Sequence, residues 1–124
     1  MLNPDSVTKL QTNLTLSSFT SVLPGKPDAP TLLTMGVNFL NISWPTIDPG
    51  DGKIISYTVF YVNTKNESKN KIEVMSGLHQ RNLTVPISGL QPFTRYFVWV
   101  RAFSSIGLGP ASENSSFVTG CKYY

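Results

Sequence analysis

The most constraining feature of the sequence is the run Tyr96–Ala102, in which two kinds of side chain alternate. A period of two residues is that of a β-strand whose two faces meet different surroundings. Because every second position is aliphatic or a tyrosine, we expect one face of this strand to lie in a hydrophobic core. The core-facing residues are then Tyr96, Val98, Val100 and Ala102, and the outward-facing residues are Phe97, Trp99 and Arg101.

A corner is predicted directly before this strand. Leu90 is followed by Pro92 and, four residues after the proline, by Tyr96. This spacing is typical of a chain that crosses between two sheets while a tyrosine hydroxyl bonds to upstream backbone. We expect Tyr96 to be the most costly core residue to replace, because it would combine a buried ring with a satisfied hydroxyl.

Seven short strands can be traced along the chain, separated by turn residues such as those of Asp48–Gly52. Strands of this length and spacing are typical of a two-sheet sandwich. Pro86 inside one of them predicts that this strand lies at a sheet edge, since proline cannot donate a ladder hydrogen bond. The expected strands are about 29–33, 37–44, 54–62, 72–75, 82–87, a strand that begins at 96, and 113–119.

Several motifs in the right order resemble those of fibronectin type III domains. Leu90–Ala102 matches the pattern Leu-x-Pro-x-Thr-x-Tyr-x-Val-x-Val-x-Ala, and Trp44, Tyr57–Tyr61 and Gly107–Pro110 also agree. The resemblance covers residues 26–119. It implies an all-β, seven-stranded immunoglobulin-like sandwich in which strands A-B-E pack on C′-C-F-G. In chain order, the seven expected strands given above are A, B, C, C′, E, F and G. The expected core is Trp44, Tyr57, Val59, Leu83, Leu90, Tyr96, Val98 and Val100.

The segments that flank the domain have a separate interpretation. Ser17–Ser21 is similar to Ser115–Thr119, so we interpret residues 1–25 as the last strand of a preceding repeat followed by a linker. Chance similarity in a Ser/Thr-rich chain is the alternative. Without partner strands, the chain up to Leu23 is expected to be poorly ordered. Residues 120–124 are interpreted as a C-terminal tail.

Composition and motifs argue against catalysis and against several kinds of partner. A net charge of +3 spread along the chain does not favour nucleic acid, and no apolar run reaches the roughly 18 residues of a membrane helix. His79 is the only histidine, and no Cys/His cluster suits zinc. Asp48 and Asp51 could be calcium ligands, but the intervening Pro and Gly favour a tight turn, and Cys121 is interpreted as an incidental thiol. We therefore expect no enzyme, no catalytic residue, no metal and no cofactor.

Five Asn-x-Ser/Thr triplets favour a protein of the secretory pathway, although a polar β-rich chain also produces such triplets by chance. In the predicted strands B and E, alternation places Asn41 with Ser43, and Asn82 with Thr84, on the solvent side of one sheet. Two glycans on that outer face would oppose a protein contact there. The candidate glycosylation sites are Asn13, Asn41, Asn66, Asn82 and Asn114.

The outer face of the other sheet carries unusual side chains for a solvent-exposed surface. We expect Phe60, Phe97, Trp99 and Arg101 to form a protein-contact face there, since exposed aromatic patches usually mark contact sites. The alternative is local cover, in which aromatic and Arg side chains stack on each other or lie under strand C′ and neighbouring repeats. Lys65, Lys69 and Lys71 could meet a sulfated glycan, but their alternation with Asn and Glu favours an ordinary solvated loop.

The resemblance implies a non-catalytic spacer and protein-binding repeat in the ectodomain of a cell-surface adhesion protein or receptor. Its partners would be an unidentified protein and the neighbouring repeats of a longer chain. Two alternatives remain open at this point. One is a passive linker in an enzyme-bearing receptor of the tyrosine phosphatase or kinase type, and the other is an intracellular repeat of the sarcomeric type. The step from fold to role is analogy, since one sandwich serves many roles.

Overall fold

The structure is a computed structural model that describes residues 21–76 and 81–121. The described chain forms strands alone, connected by turns and loops. The eight strands are β1 (Thr31–Met35), β2 (Leu40–Pro45), β3 (Ile54–Asn63), β4 (Lys69–Met75), β5 (Asn82–Ile87), β6 (Arg95–Ser104), β7 (Leu108–Ala111) and β8 (Ser115–Val118).

The strands form two antiparallel sheets. The first has the order β1-β2-β5, and the second has the order β4-β3-β6-β7, with β8 also paired to β6. The predicted sandwich with A-B-E on C′-C-F-G is therefore confirmed. β5 lies at an edge of the first sheet, which accommodates Pro86 without loss of a ladder bond.

Strand G departs from the predicted single segment, because it is divided into β7 and β8. Between them, Ser112 binds β6 with both its backbone and its side chain. Its N–H donates to the Val100 carbonyl at 2.8 Å, and its hydroxyl accepts the Val100 N–H at 2.9 Å. The Ser112 side chain thus takes the place of a ladder carbonyl. β7 begins at Leu108, five residues before the predicted start of the last strand at 113.

The core lies between the two sheets. Trp44 of β2 packs edge-to-face against Tyr57 of β3, with ring centroids 5.5 Å apart and an interplanar angle of 65°. The Trp44 indole N–H has no hydrogen-bond partner within the described residues. All eight residues expected in the core are buried, together with Leu40, Ile42, Val85, Ile87 and Ala102.

The corner before β6 has the expected geometry. The Tyr96 hydroxyl accepts a hydrogen bond from the backbone N–H of Gln91 at 2.8 Å and a longer one from Asn63 Nδ2 at 3.4 Å. Tyr96 itself is 3% exposed. The ring therefore fills the core while its polar atom joins the loop before β6 to the end of β3.

The segment that enters the domain is bound to it. Val22 exchanges hydrogen bonds with Asp51, since its N–H donates to Asp51 Oδ2 and its carbonyl accepts the Asp51 N–H. A Cβ atom at Gly109 would lie 2.7 Å from the Pro24 carbonyl oxygen, and one at Gly50 would lie 2.5 Å from the Leu23 carbonyl oxygen. Val22 and Leu23 belong to no strand and are 56% and 46% exposed, in line with the predicted lack of partner strands. The Val22 bonds and the two glycines nevertheless place their backbone against the domain. Residues 1–20 lie outside the described part of the chain.

At the other end, Gly120 lies in the predicted C-terminal tail, and the structure shows it buried. Its N–H donates to the Gly36 carbonyl, and its carbonyl accepts the Phe93 N–H.

Candidate protein-contact face

Strand register brings the predicted contact residues together on the outer surface of the second sheet. Phe60 of β3 lies opposite Trp99 of β6, and Arg101 lies opposite Thr58. Directly opposite residues of an antiparallel pair share one face. We use the name aromatic face for the outward residues Phe60, Phe97, Trp99, Arg101 and Phe103.

The centre of the aromatic face is a stacked ring pair. The rings of Phe60 and Trp99 lie 5.5 Å apart between centroids, with an interplanar angle of 13°. Such a pair contributes about 0.5–1.5 kcal/mol beyond its buried area. Both residues are half-buried, so the rings partly cover each other. Local cover thus accounts for part of this surface.

The flanks of the aromatic face remain open. Phe97 is 40% exposed and Phe103 is 41% exposed. Phe103 was not among the predicted contact residues, although the period of two in β6 continues through buried Ala102 and would have indicated it. Two exposed phenylalanines flank the stacked pair, so the exposed apolar side chains form a patch. Apolar residues exposed singly are normal on a protein surface, whereas such a patch is not.

Arg101 is held in place by the neighbouring strand. Its Nε donates to the Gly109 carbonyl at 2.8 Å, and the side chain is half-buried. The guanidinium therefore lies against β7. Among the described residues, the ring contact of Trp99 is with Phe60, not with Arg101. Its Nη atoms make no hydrogen bond within the described residues.

β4 completes this surface at the sheet edge. Lys71 lies opposite Phe60, and Lys69 lies opposite Val62. The expectation that these lysines belong to a solvated loop is wrong, because β4 begins at Lys69 and not near Ile72. Lys65 does lie in the turn between β3 and β4 and is exposed.

The outer surface of the first sheet has a different chemistry. Asn82 and Thr84 are exposed, as expected. Asn41 is half-buried, and its Nδ2 donates to Thr34 Oγ1 at 2.7 Å. The expectation that Ser43 faces solvent is wrong: it is 9% exposed, and its hydroxyl donates to the Leu83 carbonyl across the central strand pair.

The other candidate glycosylation sites lie in connections. Asn66, between β3 and β4, and Asn114, between β7 and β8, are exposed. Asn66 Oδ1 accepts the Ser68 N–H at 2.9 Å. Asn13 lies outside the described residues.

Candidate metal ligands and membrane-spanning segments are two further features that the sequence bears on. Residues 21–76 and 81–121 hold no group of three or more His, Cys, Asp or Glu placed for a metal ion. Within the same residues there is no helix of the length and apolarity needed to cross a bilayer. His79 lies outside them. Asp48 takes part in the expected turn, where its Oδ1 accepts the Gly50 N–H at 2.9 Å.

Within residues 21–76 and 81–121, two groups have shifted pKa values, and neither lies on the aromatic face. Burial raises the pKa of the Tyr57 hydroxyl, while the hydrogen bond that it accepts from the Ile47 N–H lowers it by a smaller amount. The hydrogen bond and charge of Lys26 lower the pKa of the exposed Glu113 carboxyl. Both are structural interactions.

Comparison with known proteins agrees with this architecture. The sequence model of the fibronectin type III domain matches residues 26–118. Bovine receptor-type tyrosine-protein phosphatase F is 29% identical over 127 residues, which cover 90% of this chain and 7% of that protein. Contactin of Drosophila melanogaster is 34% identical over 91 residues, covering 70% of this chain and 6% of the relative. The chain thus spans less than a tenth of either relative.

Among solved structures, the sixth type III domain of human fibronectin type III domain containing protein 3 superposes with a TM-score of 0.69. The two are 23% identical, and the match covers 86% of this chain and 95% of that chain. At this level of identity the likeness shows the fold alone.

Proposed function

The chain belongs to the fibronectin type III family, whose domains are non-catalytic modules, and from that premise we propose that it is a protein-binding and spacer repeat. Its parent would be a cell-surface adhesion protein or receptor, and the domain would lie in the extracellular part. The aromatic face would be the contact surface.

The observation that carries this proposal is the open part of the aromatic face. Phe97 and Phe103 are each about two-fifths exposed on one strand, beside the half-buried Phe60–Trp99 pair. Aromatic residues and Arg at the centre of a patch are the composition of binding hot spots. A pure spacer would gain nothing from exposed phenylalanines, which lower solubility.

The relatives support the cell-surface part of the proposal. A receptor-type tyrosine-protein phosphatase and a contactin each contain a region similar to this chain. Because the matched region is less than a tenth of those proteins, their remaining domains and activities do not transfer to this chain.

A second candidate function is that of a passive linker repeat in an enzyme-bearing receptor. The similarity to receptor-type tyrosine-protein phosphatase F favours it. A membrane helix followed by a catalytic domain, found downstream of residue 124 in the parent gene, would support this candidate. The intracellular sarcomeric type of repeat is the third candidate, and glycan analysis of the secreted chain distinguishes it from the first two.

The binding proposal can be tested by probing an array of immobilised cell-surface ectodomains with the full chain, prepared as a multivalent fusion. We expect saturable binding to at least one ectodomain, lost in Phe97→Glu and retained in Leu33→Glu. Leu33 is a matched control, because it is 55% exposed on β1 of the opposite sheet and receives the same charge. Both variants should melt within a few degrees of the wild type, since exposed substitutions change stability by about 0.5 kcal/mol or less.

Two results would contradict the proposal. One is an absence of binding by the wild-type chain to every ectodomain. The other is equal loss of binding in the Phe97 and Leu33 variants.

A further inference from the structure

We infer that the aromatic face binds an acidic segment of its protein partner, in which carboxylates alternate with apolar side chains. The inference rests on the proposed function and adds the chemistry of the partner. Three features of the surface lead to it: its charge, the shape beside Phe60, and the spacing of its cations.

The aromatic face and the adjoining strand edge are strongly cationic. Register places Lys69, Lys71 and Glu73 of β4 on the same side as Phe60, and Arg95 and Arg101 of β6 share that side with Trp99. This side of the sheet therefore carries four cationic side chains and one anionic side chain. The strands of the first sheet present no charged side chain on their outer surface, where Ser43 lies opposite Thr84 and Asn41 lies opposite Pro86. Charge complementarity thus favours a negatively charged partner on the second sheet only.

A shallow apolar depression lies within this cationic surface. It is lined by Phe60, Lys69, Asn70 and Lys71, and its volume is about 280 Å³. Small-molecule sites usually occupy about 300–1,000 Å³ and are concave, so this open depression suits one apolar side chain of a protein better than a free ligand. Lysine stems can form its apolar walls while their ammonium groups stay in water at the rim. A carboxylate next to the inserted side chain would then meet an ammonium group.

The spacing of the cations favours a protein over a sulfated glycan. Lys71 and Trp99 lie on either side of Phe60 in one cross-strand row, and Arg101 lies in the next row beyond Glu73 and Thr58. Strands are about 4.8 Å apart, so β4 cations are separated from β6 cations by about 10 Å. The surface between them is that of β3, where Val62, Phe60 and Thr58 face outward. A polyanionic sugar would leave that surface in water, whereas apolar side chains between carboxylates would cover it.

The inference can be tested by titrating the labelled full chain with three probes and following backbone and indole N–H signals by NMR. The first probe is a short synthetic peptide in which Glu alternates with Leu and Phe. The second is its twin with Lys in place of Glu, and the third is a heparin oligosaccharide. We expect the acidic peptide to shift the signals of Phe60, Lys71 and the Trp99 indole N–H, with a Kd that rises with salt, and we expect no such shifts from the Lys twin.

Variants locate the contact. Lys71→Glu should weaken binding of the acidic peptide about fivefold, because an attraction becomes a repulsion at an exposed site. Lys53→Glu changes the net charge equally in an exposed position before β3 and should leave the Kd unchanged. Phe60→Ser should weaken binding about tenfold by removing the wall of the depression, and an unchanged NMR spectrum for the core residues would show that the variant is folded.

Three outcomes would overturn the inference: no shifts with the acidic peptide at millimolar concentration, equal binding of both peptides, or a response to heparin alone. They differ from failure of the proposed function. If the ectodomain array shows Phe97-dependent binding that Lys71→Glu and salt do not alter, the contact face stands and the acidic partner does not.

Discussion

At the scale of single residues, two neighbouring tyrosines of this domain differ in whether their hydroxyl groups have hydrogen-bond partners. The Tyr96 hydroxyl accepts two hydrogen bonds, whereas the Tyr61 hydroxyl makes none within the described residues, although the two rings lie 6.4 Å apart. Removal of the hydroxyl oxygen should therefore have different consequences at Tyr96 and at Tyr61.

We expect Tyr96→Phe to lower the free energy of unfolding by about 1–3 kcal/mol, because it leaves the Gln91 N–H without its partner. Tyr61→Phe is the matched control and should change that free energy by less than about 0.5 kcal/mol. Urea unfolding followed by tryptophan fluorescence measures both. Equal losses in the two variants would show that the corner hydrogen bond contributes no special stability.

The shifted pKa of Tyr57 predicts a loss of stability at alkaline pH. The folded protein holds the Tyr57 proton more tightly than the unfolded chain, because burial raises the pKa in the folded state. The resulting stabilisation is complete below the unfolded pKa of about 10 and is lost as pH rises through the higher folded pKa. Unfolding free energies measured between about pH 8 and pH 11 should fall less steeply in Tyr57→Phe than in the wild type. Parallel curves would contradict the prediction.

At the scale of elements, the irregular segments of this domain are determined by contacts that are distant in sequence. Ser112 divides strand G because its side chain binds the Val100 amide. Gly50 in the turn before β3 and Gly109 in β7 make room for the backbone of Leu23 and Pro24. The chain that enters the domain is therefore part of the folded unit.

We expect Gly109→Ala to displace the entering segment, because the new methyl group would lie 2.7 Å from the Pro24 carbonyl oxygen. The strain should cost about 1–3 kcal/mol. It should also speed hydrogen exchange of the Asp51 amide, which donates to the Val22 carbonyl. Gly25→Ala is the control, since its nearest atom is the Asp48 carbonyl oxygen at 3.9 Å. Protection of Asp51 that is unaltered in Gly109→Ala would refute the role given to this glycine.

At the scale of the whole molecule, the two outer surfaces of the sandwich differ in kind. The first sheet presents hydroxyl and amide side chains on β2 and β5 and the exposed apolar side chains Leu33 and Met35 on β1. Its candidate glycosylation sites, Asn41 and Asn82, lie four residues apart along the paired register. The second sheet presents the aromatic face, which includes Arg101, and three further cations, Lys69, Lys71 and Arg95. A protein partner and glycans can therefore occupy opposite sides of the same domain.

If the chain passes through the secretory pathway as proposed, glycan mass should follow the exposure of these sites. Asn82→Gln should remove one glycan, because Asn82 and Thr84 are exposed. Asn41→Gln should remove none, because Asn41 Nδ2 is bonded to Thr34 and the Ser43 hydroxyl is buried. Mass spectrometry of the protein secreted from animal cells, before and after enzymatic deglycosylation, measures both. A wild-type chain without any sugar would remove the main support for the cell-surface proposal.

The features that the sequence determined by itself are those that repeat locally. The period of two in β6 placed Val98 and Val100 inside and Trp99 outside, since alternation needs no knowledge of distant residues. The Leu90–Pro92–Tyr96 spacing likewise predicted a hydroxyl bond that closes over five residues. Family motifs supplied the pairing order of the strands, which periodicity alone leaves open.

Only the tertiary structure decided the features that depend on a partner far along the chain. Ser43 is buried because its hydroxyl meets the Leu83 carbonyl, 40 residues away. Lys69 and Lys71 lie beside the aromatic face because β3 extends to Asn63 and pairs with β4 from Lys69, the first residue of β4. Alternation cannot reveal such outcomes, because a polar side chain is buried or exposed according to which neighbour satisfies it, and that neighbour is chosen by the packing of the whole fold.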